Sequence, residues 1–187
     1  MIITIGRECG CAGDQIGKRL AETYGIPCYT KKELIGLAKE KDLYDKYPLY
    51  FGEMPVDAMM NPMDEEFRDR LRRTPHEALE QLLGDTSCIV VGRASNYAFR
   101  GREDAVRIFL VGNRKKRIKR IARIHNVSER KAEQIVEQTD NRRRGYHAYY
   151  TGEEWGYASN YDLCLNESKL GIKGVVNMVQ SYIENKK

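Results

Sequence analysis

Residues 3–25 read ITIGRECGCAGDQIGKRLAETYG, and the fold turns on how that run divides. Its start continues an apolar, strand-like N-terminus, MIITIG, and its end carries Ile16, Leu20, Ala21 and Tyr24 at helical spacing. Between them lies a glycine-bearing turn, Gly10, Cys11, Ala12, Gly13, Asp14 and Gln15. A loop that cradles polyphosphate needs glycine, because its backbone takes positive φ and approaches the anion without a Cβ, so that successive N–H groups point inward. It also needs a helix beginning at once, whose first amides and dipole face the charge. The stretch meets both needs but departs from G-x-x-x-x-G-K-[ST]: Arg7 stands at the first glycine, Ala12 at the second, Gly13 at the lysine and Asp14 at the Ser/Thr. Something other than a lysine must then supply the positive charge. Arg7, leaving the strand just before the loop, is one source, since a guanidinium is a bidentate donor to phosphate. The competing reading pairs Arg7 with Glu8 or Asp14 and leaves it only to fix the turn.

Outward from this run, residues 2–5, 26–29, 88–91, 106–111 and 161–165 are short apolar runs, continuous rather than alternating, as in strands buried on both faces of a parallel sheet. Helical patterns separate them. One holds Leu34, Ile35 and Ala38; another runs from Phe67 to Leu82 with an interruption expected at Pro75. A basic helix carries Ile118, Ile121 and Ala122, a helix marked by Ala132, Ile135 and Val136 takes Ser128 as its cap, and Val175, Val176, Val179 and Ile183 mark the last one. Strand and helix alternate throughout, which predicts a doubly wound α/β layer sandwich. Residues 42–64, rich in proline, methionine and aromatics without a clean period, read as an irregular or mobile insertion. Residues 140–160, DNRRRGYHAYYTGEEWGYASN, read as a cover between the last long helix and the last strand.

The chain has 187 residues, room for one domain with a real core. With 41% hydrophobic and 32% charged residues and no run of roughly 20 apolar residues, it reads as a soluble protein without a membrane span. The start lacks the basic and apolar regions of a secretory signal, so the cytoplasm is the expected location. Five cysteines argue against a disulfide framework, and those at 28, 88 and 164 sit in apolar runs where buried free thiols are expected. Cys9 and Cys11 have no second pair at metal-ligand spacing, so no zinc site is expected. The net charge of +5 favours anionic partners, and with no RNA-binding motif in the chain nucleotides are preferred over nucleic acid.

The run TIGRECGCAGDQIGKRLAETYGIPCY, with VVGRAS at 90–95, DAVRIFLVG at 104–112, TDNRRRGYHAYYTGEEWG and YDLCLNESKLGI, resembles the cytidylate kinase-like family of P-loop proteins over nearly the whole chain, in order. The resemblance implies a P-loop NTPase-type three-layer sandwich over 1–187, a five-stranded parallel sheet in the order 2-3-1-4-5, an acceptor-side insertion at 31–86 and an arginine-rich lid at 140–160. It also implies ATP and Mg2+ as cofactors, a nucleoside monophosphate acceptor with CMP or dCMP favoured, and glycine as the usual residue where Gly13 stands. Such catalysis is mostly positioning and charge neutralisation, so arginines matter more than a nucleophile.

On that likeness, Gly10 to Gln15 hold the donor phosphates, and Arg143, in the D-x-x-R-x-x-Y pattern of Asp140, Arg143 and Tyr146, acts on the transferring group with Arg117 and Arg7. Arg93 faces the acceptor, with Asn96 and Thr30 as further contacts and Glu33 beside Thr30. Two acids of the family pattern are missing: the chain reads Gly92-Arg93-Ala94 where Gly-Arg-Asp is usual, and Tyr29-Thr30 where Tyr-Asp is common. Asp14 reads as a water-mediated magnesium contact or a helix cap; no metal ligand is assigned. Trp155 reads as a packing anchor. The rival readings are a non-catalytic nucleotide sensor, a kinase of another small acceptor and a basic RNA-binding protein.

Overall fold

The computed structural model describes residues 1–52 and 64–186. Strands β1 (Ile2–Arg7), β2 (Cys28–Tyr29), β3 (Cys88–Val91), β4 (Ala105–Val111) and β5 (Leu163–Asn166) form one all-parallel sheet in the order β2-β3-β1-β4-β5. The helices along the chain are α1 (Gly13–Tyr24), α2 (Lys31–Glu40), α3 (Pro48–Phe51), α4 (Glu65–Leu83), α5 (Ser95–Ala98), α6 (Arg114–His125), α7 (Glu129–Thr151) and α8 (Glu167–Asn185).

The continuous apolar runs have the cause expected of them, because the central strands are covered on both faces. Ile3, Ile5, Ile89, Val91 and Ile108 pack with Ile16 and Leu20 of α1 and Val175 and Val179 of α8. The alternate residues Ile2, Cys88 and Val90 turn to the opposite face, against Leu34 and Ala38 of α2, Tyr50 and Phe51 of α3, and Ala78, Leu79 and Leu82 of α4. The result is the three-layer sandwich that the sequence predicts. A smaller cluster of Ile118, Ile121, Ala132 and Val136 joins α6 to α7 and takes in Cys9.

The departures follow from position. β2 and β5 are the edge strands and are only partly covered, so Cys164 is exposed and Cys28 half-buried rather than sealed in the core. β2 is two residues long and begins after Pro27, which has no N–H to give a ladder. α4 runs unbroken through Pro75. The apolar stripe of Ala78, Leu79 and Leu82, with Pro75 itself buried, outweighs the loss of one backbone hydrogen bond. α7 continues to Thr151, so residues 140–151 are the last three turns of a long packed helix instead of a segment that follows it. Tyr150 and His147 are buried there, so over 140–151 the stretch expected to form the arginine-rich lid is helical rather than an irregular cover. Of the expected irregular insertion, residues 42–52 include α3 with Tyr50 and Phe51 fully in the core; residues 53–63 lie outside the described part.

Candidate active site

The turn after β1 has the conformation its glycines foretell. Gly10 (φ 87°) and Ala12 (φ 52°) are left-handed, and α1 starts at Gly13. A Cβ on Gly10 would lie 2.9 Å from both the Cβ and the carbonyl oxygen of Arg117, so glycine is what lets the loop rest directly on α6. The first backbone bond into the helix is Ile16 N–H to the Ala12 carbonyl at 2.9 Å. The N–H groups of Gly13, Asp14 and Gln15 therefore have no helical acceptor, as at any helix start.

The loop's carbonyls are held on the other side. Arg117 Nη1 donates to Cys9 O at 3.0 Å, and Arg120 Nη1 to Gly10 O at 2.6 Å. Each arginine is in turn held by an acid. Arg117 binds Asp140 at 2.8 Å and Glu8 at 3.4 Å, and Arg120 makes a double contact at 2.7 Å with Glu167, which is 2% exposed. Asp140 also accepts the Cys9 N–H at 2.6 Å, and Glu8 the Gly112 N–H at 2.8 Å. The sequence reading sends Arg117 to the phosphates; its guanidinium instead lies behind the loop, 7% exposed, and its Nε is bonded to Gly112 O at 3.1 Å.

Arg7 packs against Gly13, the residue at the motif's lysine position. Its side chain passes over Gly13, where a Cβ would meet Arg7 Cγ at 2.8 Å, and under Gly92, where a Cβ would meet Arg7 Nη1 at 2.5 Å. Two residues without side chains thus open the channel that this arginine occupies. It pairs with Asp14 at 3.1 Å, and burial lowers its pKa despite that pairing. The pairing reading of Arg7 is what the structure shows, through Asp14, and the same side chain also lines the cleft beside the loop.

That cleft, about 160 Å3, lies beyond the carboxyl ends of β1 and β3, the usual ligand position in open α/β sheets. Arg143 and Tyr146, spaced three apart on α7, line it, while Asp140, three residues earlier, is turned to the loop. Asp140 grips the loop, Arg143 Nη1 donates to Arg7 O at 3.0 Å, and Tyr146 Oη donates to Tyr50 O at 2.9 Å. Burial first, and then the neighbouring positive charge of Arg7, lower the Arg143 pKa. Both guanidiniums are half-buried, and Asp14 pairs with that of Arg7. Arg7, Lys31, Arg93, Arg142 and Arg143 all line the cleft, and none of its lining residues among those described is a carboxylate.

The remaining sequence candidates divide. Asn96 lines the cleft at the start of α5 and is 5% exposed. Arg93 lines it too, but its guanidinium donates to the carbonyls of Tyr50, Phe51 and Gly52, where α3 ends, and lies over the Tyr146 ring at 5.0 Å. Gly92, Arg93 and Ala94 are consecutive left-handed residues, a strained bend for the two that carry a Cβ. Tyr50 Oη closes this clasp by donating to Arg93 O at 2.7 Å. Thr30 is the cap of α2, its N–H bonded to the Glu33 carboxylate at 3.0 Å and its hydroxyl to the same oxygen, which holds Glu33 below the usual carboxylate range. Trp155 packs edge-on against Phe109 at 5.1 Å as an anchor while also lining the cleft. The sequence reading passed over His147 and Tyr161, which line the cleft as well. His147 had a signal, four residues after Arg143 on one helical face; Tyr161, before β5, had none.

The comparisons with known proteins follow this geometry. No curated protein sequence matches the chain. Among solved structures, an uncharacterized protein from Eubacterium ventriosum is 27% identical, with 99% of this chain and 98% of that one covered and a TM-score of 0.73. A shikimate kinase from Bacteroides thetaiotaomicron (15% identity, 98% and 98% covered, TM-score 0.51) and a gluconokinase from Sinorhizobium meliloti (13%, 98% and 91%, 0.52) share the fold. The profile of the cytidylate kinase-like family matches residues 2–169, and the chain belongs to that family.

Proposed function

We propose that the protein transfers the γ-phosphoryl group of ATP to a nucleoside monophosphate bound in the cationic cleft, with CMP or dCMP as the acceptor the family favours. The observation that carries this reading is the pair of half-buried guanidiniums, Arg7 and Arg143, beside a left-handed loop whose carbonyls are held by Arg117 and Arg120 and whose first helical N–H groups have no helical acceptor. Holding two like charges side by side in a half-buried cleft is costly even with Asp14 paired to Arg7, and an anion relieves that cost.

In this account the amides of residues 10–15 hold the donor phosphates and Arg7 supplies the charge a lysine otherwise brings. Arg143 neutralises charge on the transferring group, where phosphoryl transfer needs it most. Arg117 acts at one remove, by holding the loop's shape. Asn96 lies on the acceptor side, and Arg93 supports that side through α3. Among the described residues no three His, Cys, Asp or Glu side chains cluster as a metal cage. Mg2+ binds through substrate phosphates and one or two carboxylates. Asp14, exposed at the loop, is the residue that would hold it. When bound, the ion neutralises charge on the phosphate oxygens.

The test is a turnover assay with ATP against a panel of monophosphates, with ATP binding measured in parallel. Turnover with CMP or dCMP well above ATP hydrolysis supports the reading, and ATP binding without turnover for any acceptor makes the protein a nucleotide sensor. A second reading, transfer to another small anionic acceptor, is favoured by Ala94 and Thr30 standing where acids are usual, and turnover confined to non-nucleotide acids or phosphates would establish it.

A further inference from the structure

The cations of the cleft account for an anion but leave part of its wall unexplained. Among the described residues, four buried side-chain polar atoms have no hydrogen-bond partner, and three of them, Asn96 Nδ2, His147 Nε2 and Tyr161 Oη, belong to residues lining this one cleft. All three residues are more than nine-tenths buried. Native folds leave few such groups, and three around one cavity point to a ligand that completes them. Their neighbours do not. The nearest Glu153 oxygen is 4.0 Å from His147 Nε2, beyond hydrogen-bond reach. Tyr161 Oη has only the Gly156 N–H beside it and nothing to accept its own proton.

The three groups are alike in being uncharged. Burial lowers His147 to about 4, so the imidazole is neutral at pH 7, and burial likewise keeps the Tyr161 phenol protonated. Asn96 Nδ2 and Tyr161 Oη offer protons, and neutral His147 Nε2 offers a proton or a lone pair. Such a set suits carbonyl and hydroxyl oxygens, whereas an anionic group is better served by the guanidiniums.

We propose that Asn96, His147 and Tyr161 are specificity-determining residues that hydrogen-bond the uncharged, oxygen-bearing body of the acceptor, a pentose or a pyrimidine carbonyl, while the arginines hold its phosphate. This rests on the cleft being the acceptor site and names the part of the acceptor read there. Calorimetric binding of CMP and of inorganic phosphate tests it without turnover. Wild type binds CMP at least about tenfold more tightly than phosphate; His147→Phe, Tyr161→Phe and Asn96→Ala each weaken CMP about five- to tenfold and leave phosphate within about twofold. His147→Gln, which keeps a hydrogen-bonding atom, regains most of the loss. Tyr161→Phe removes a single oxygen and serves where a larger change unfolds the protein. CMP affinity unchanged in these variants, CMP and phosphate weakening together, or wild type binding CMP no better than phosphate overturns the proposal. The expected pattern without phosphoryl transfer would instead sink only the kinase reading.

Discussion

α6 and α7 present similar arginine runs, RKKRIKR at 114–120 and RRR at 142–144, yet the structure uses them in opposite ways. Arg117 and Arg120 turn inward onto loop carbonyls and are neutralised by Asp140, Glu8 and Glu167. Arg143 turns to a cleft whose walls, among the described residues, carry more arginine and no carboxylate, and its pKa falls where that of Arg120 rises. The partner, not the arginine, sets the role. A guanidinium bonded to carboxylates holds the loop's shape, and on the proposed reading one half-buried beside another guanidinium is the one that meets phosphate.

Breaking the first kind should cost stability. Arg117→Ala leaves Asp140 and Glu8 without their cation, and removing one partner of a buried pair costs about 3–5 kcal/mol, read as a lower urea midpoint with an unchanged slope. Breaking the second kind should cost catalysis instead. Arg143→Ala is expected to lower kcat by about a hundred- to a thousandfold, while the melting temperature holds or rises because its repulsion with Arg7 is gone. A large loss of melting temperature with little change in turnover would erase the contrast between the two helices.

Glu167→Gln sharpens it. The substitution keeps the shape but removes the charge facing Arg120, and should cost about 1–3 kcal/mol of stability and weaken ATP binding by loosening the Arg120 hold on the Gly10 carbonyl, with the acceptor KM unchanged. The smallest effect belongs to pH. His147 is lowered to about 4 by burial, against 6.5 when unfolded. Between those values the unfolded chain binds the extra proton, so stability is full above pH 6.5 and falls as pH drops towards 4, by about 2 kcal/mol near pH 5. His147→Gln should flatten that slope in pH-dependent denaturation curves, and an unaltered slope would place its cause elsewhere.

Much of this was legible in the sequence, and the reasons are physical. The continuous apolar runs announced the parallel sheet because β1, β3 and β4 are covered on both faces, and the glycines at 10 and 13 announced the loop because only they admit its close approaches. Ser128 announced the start of α7, where its hydroxyl accepts the Lys131 N–H at 3.3 Å. What the chain did not display was the direction in which a charged side chain points. Asp140 reads as part of an arginine motif, but in space it is a strut under Cys9. Arg93 follows a strand where ligands gather, yet the left-handed bend of residues 92–94 carries its guanidinium to the end of α3, a contact 41 to 43 residues away. The arginines of 140–151 resemble a mobile cover because their spacing looks polar, whereas the Tyr150 and His147 faces that bury the helix depend on partners far away in the chain.

The account rests on Arg7 doing the work of the absent lysine across Gly13, and calorimetric ATP binding to four proteins, wild type, Arg7→Ala, Gly13→Lys and the double variant, tests it most directly. Arg7→Ala should weaken ATP at least about tenfold. Gly13→Lys alone should also weaken it, since its Cβ falls 2.8 Å from Arg7 Cγ. With the channel emptied, the double variant should return to within about threefold of wild type, a lysine then standing where the motif normally has one. Arg7→Ala binding ATP as tightly as wild type would contradict the account.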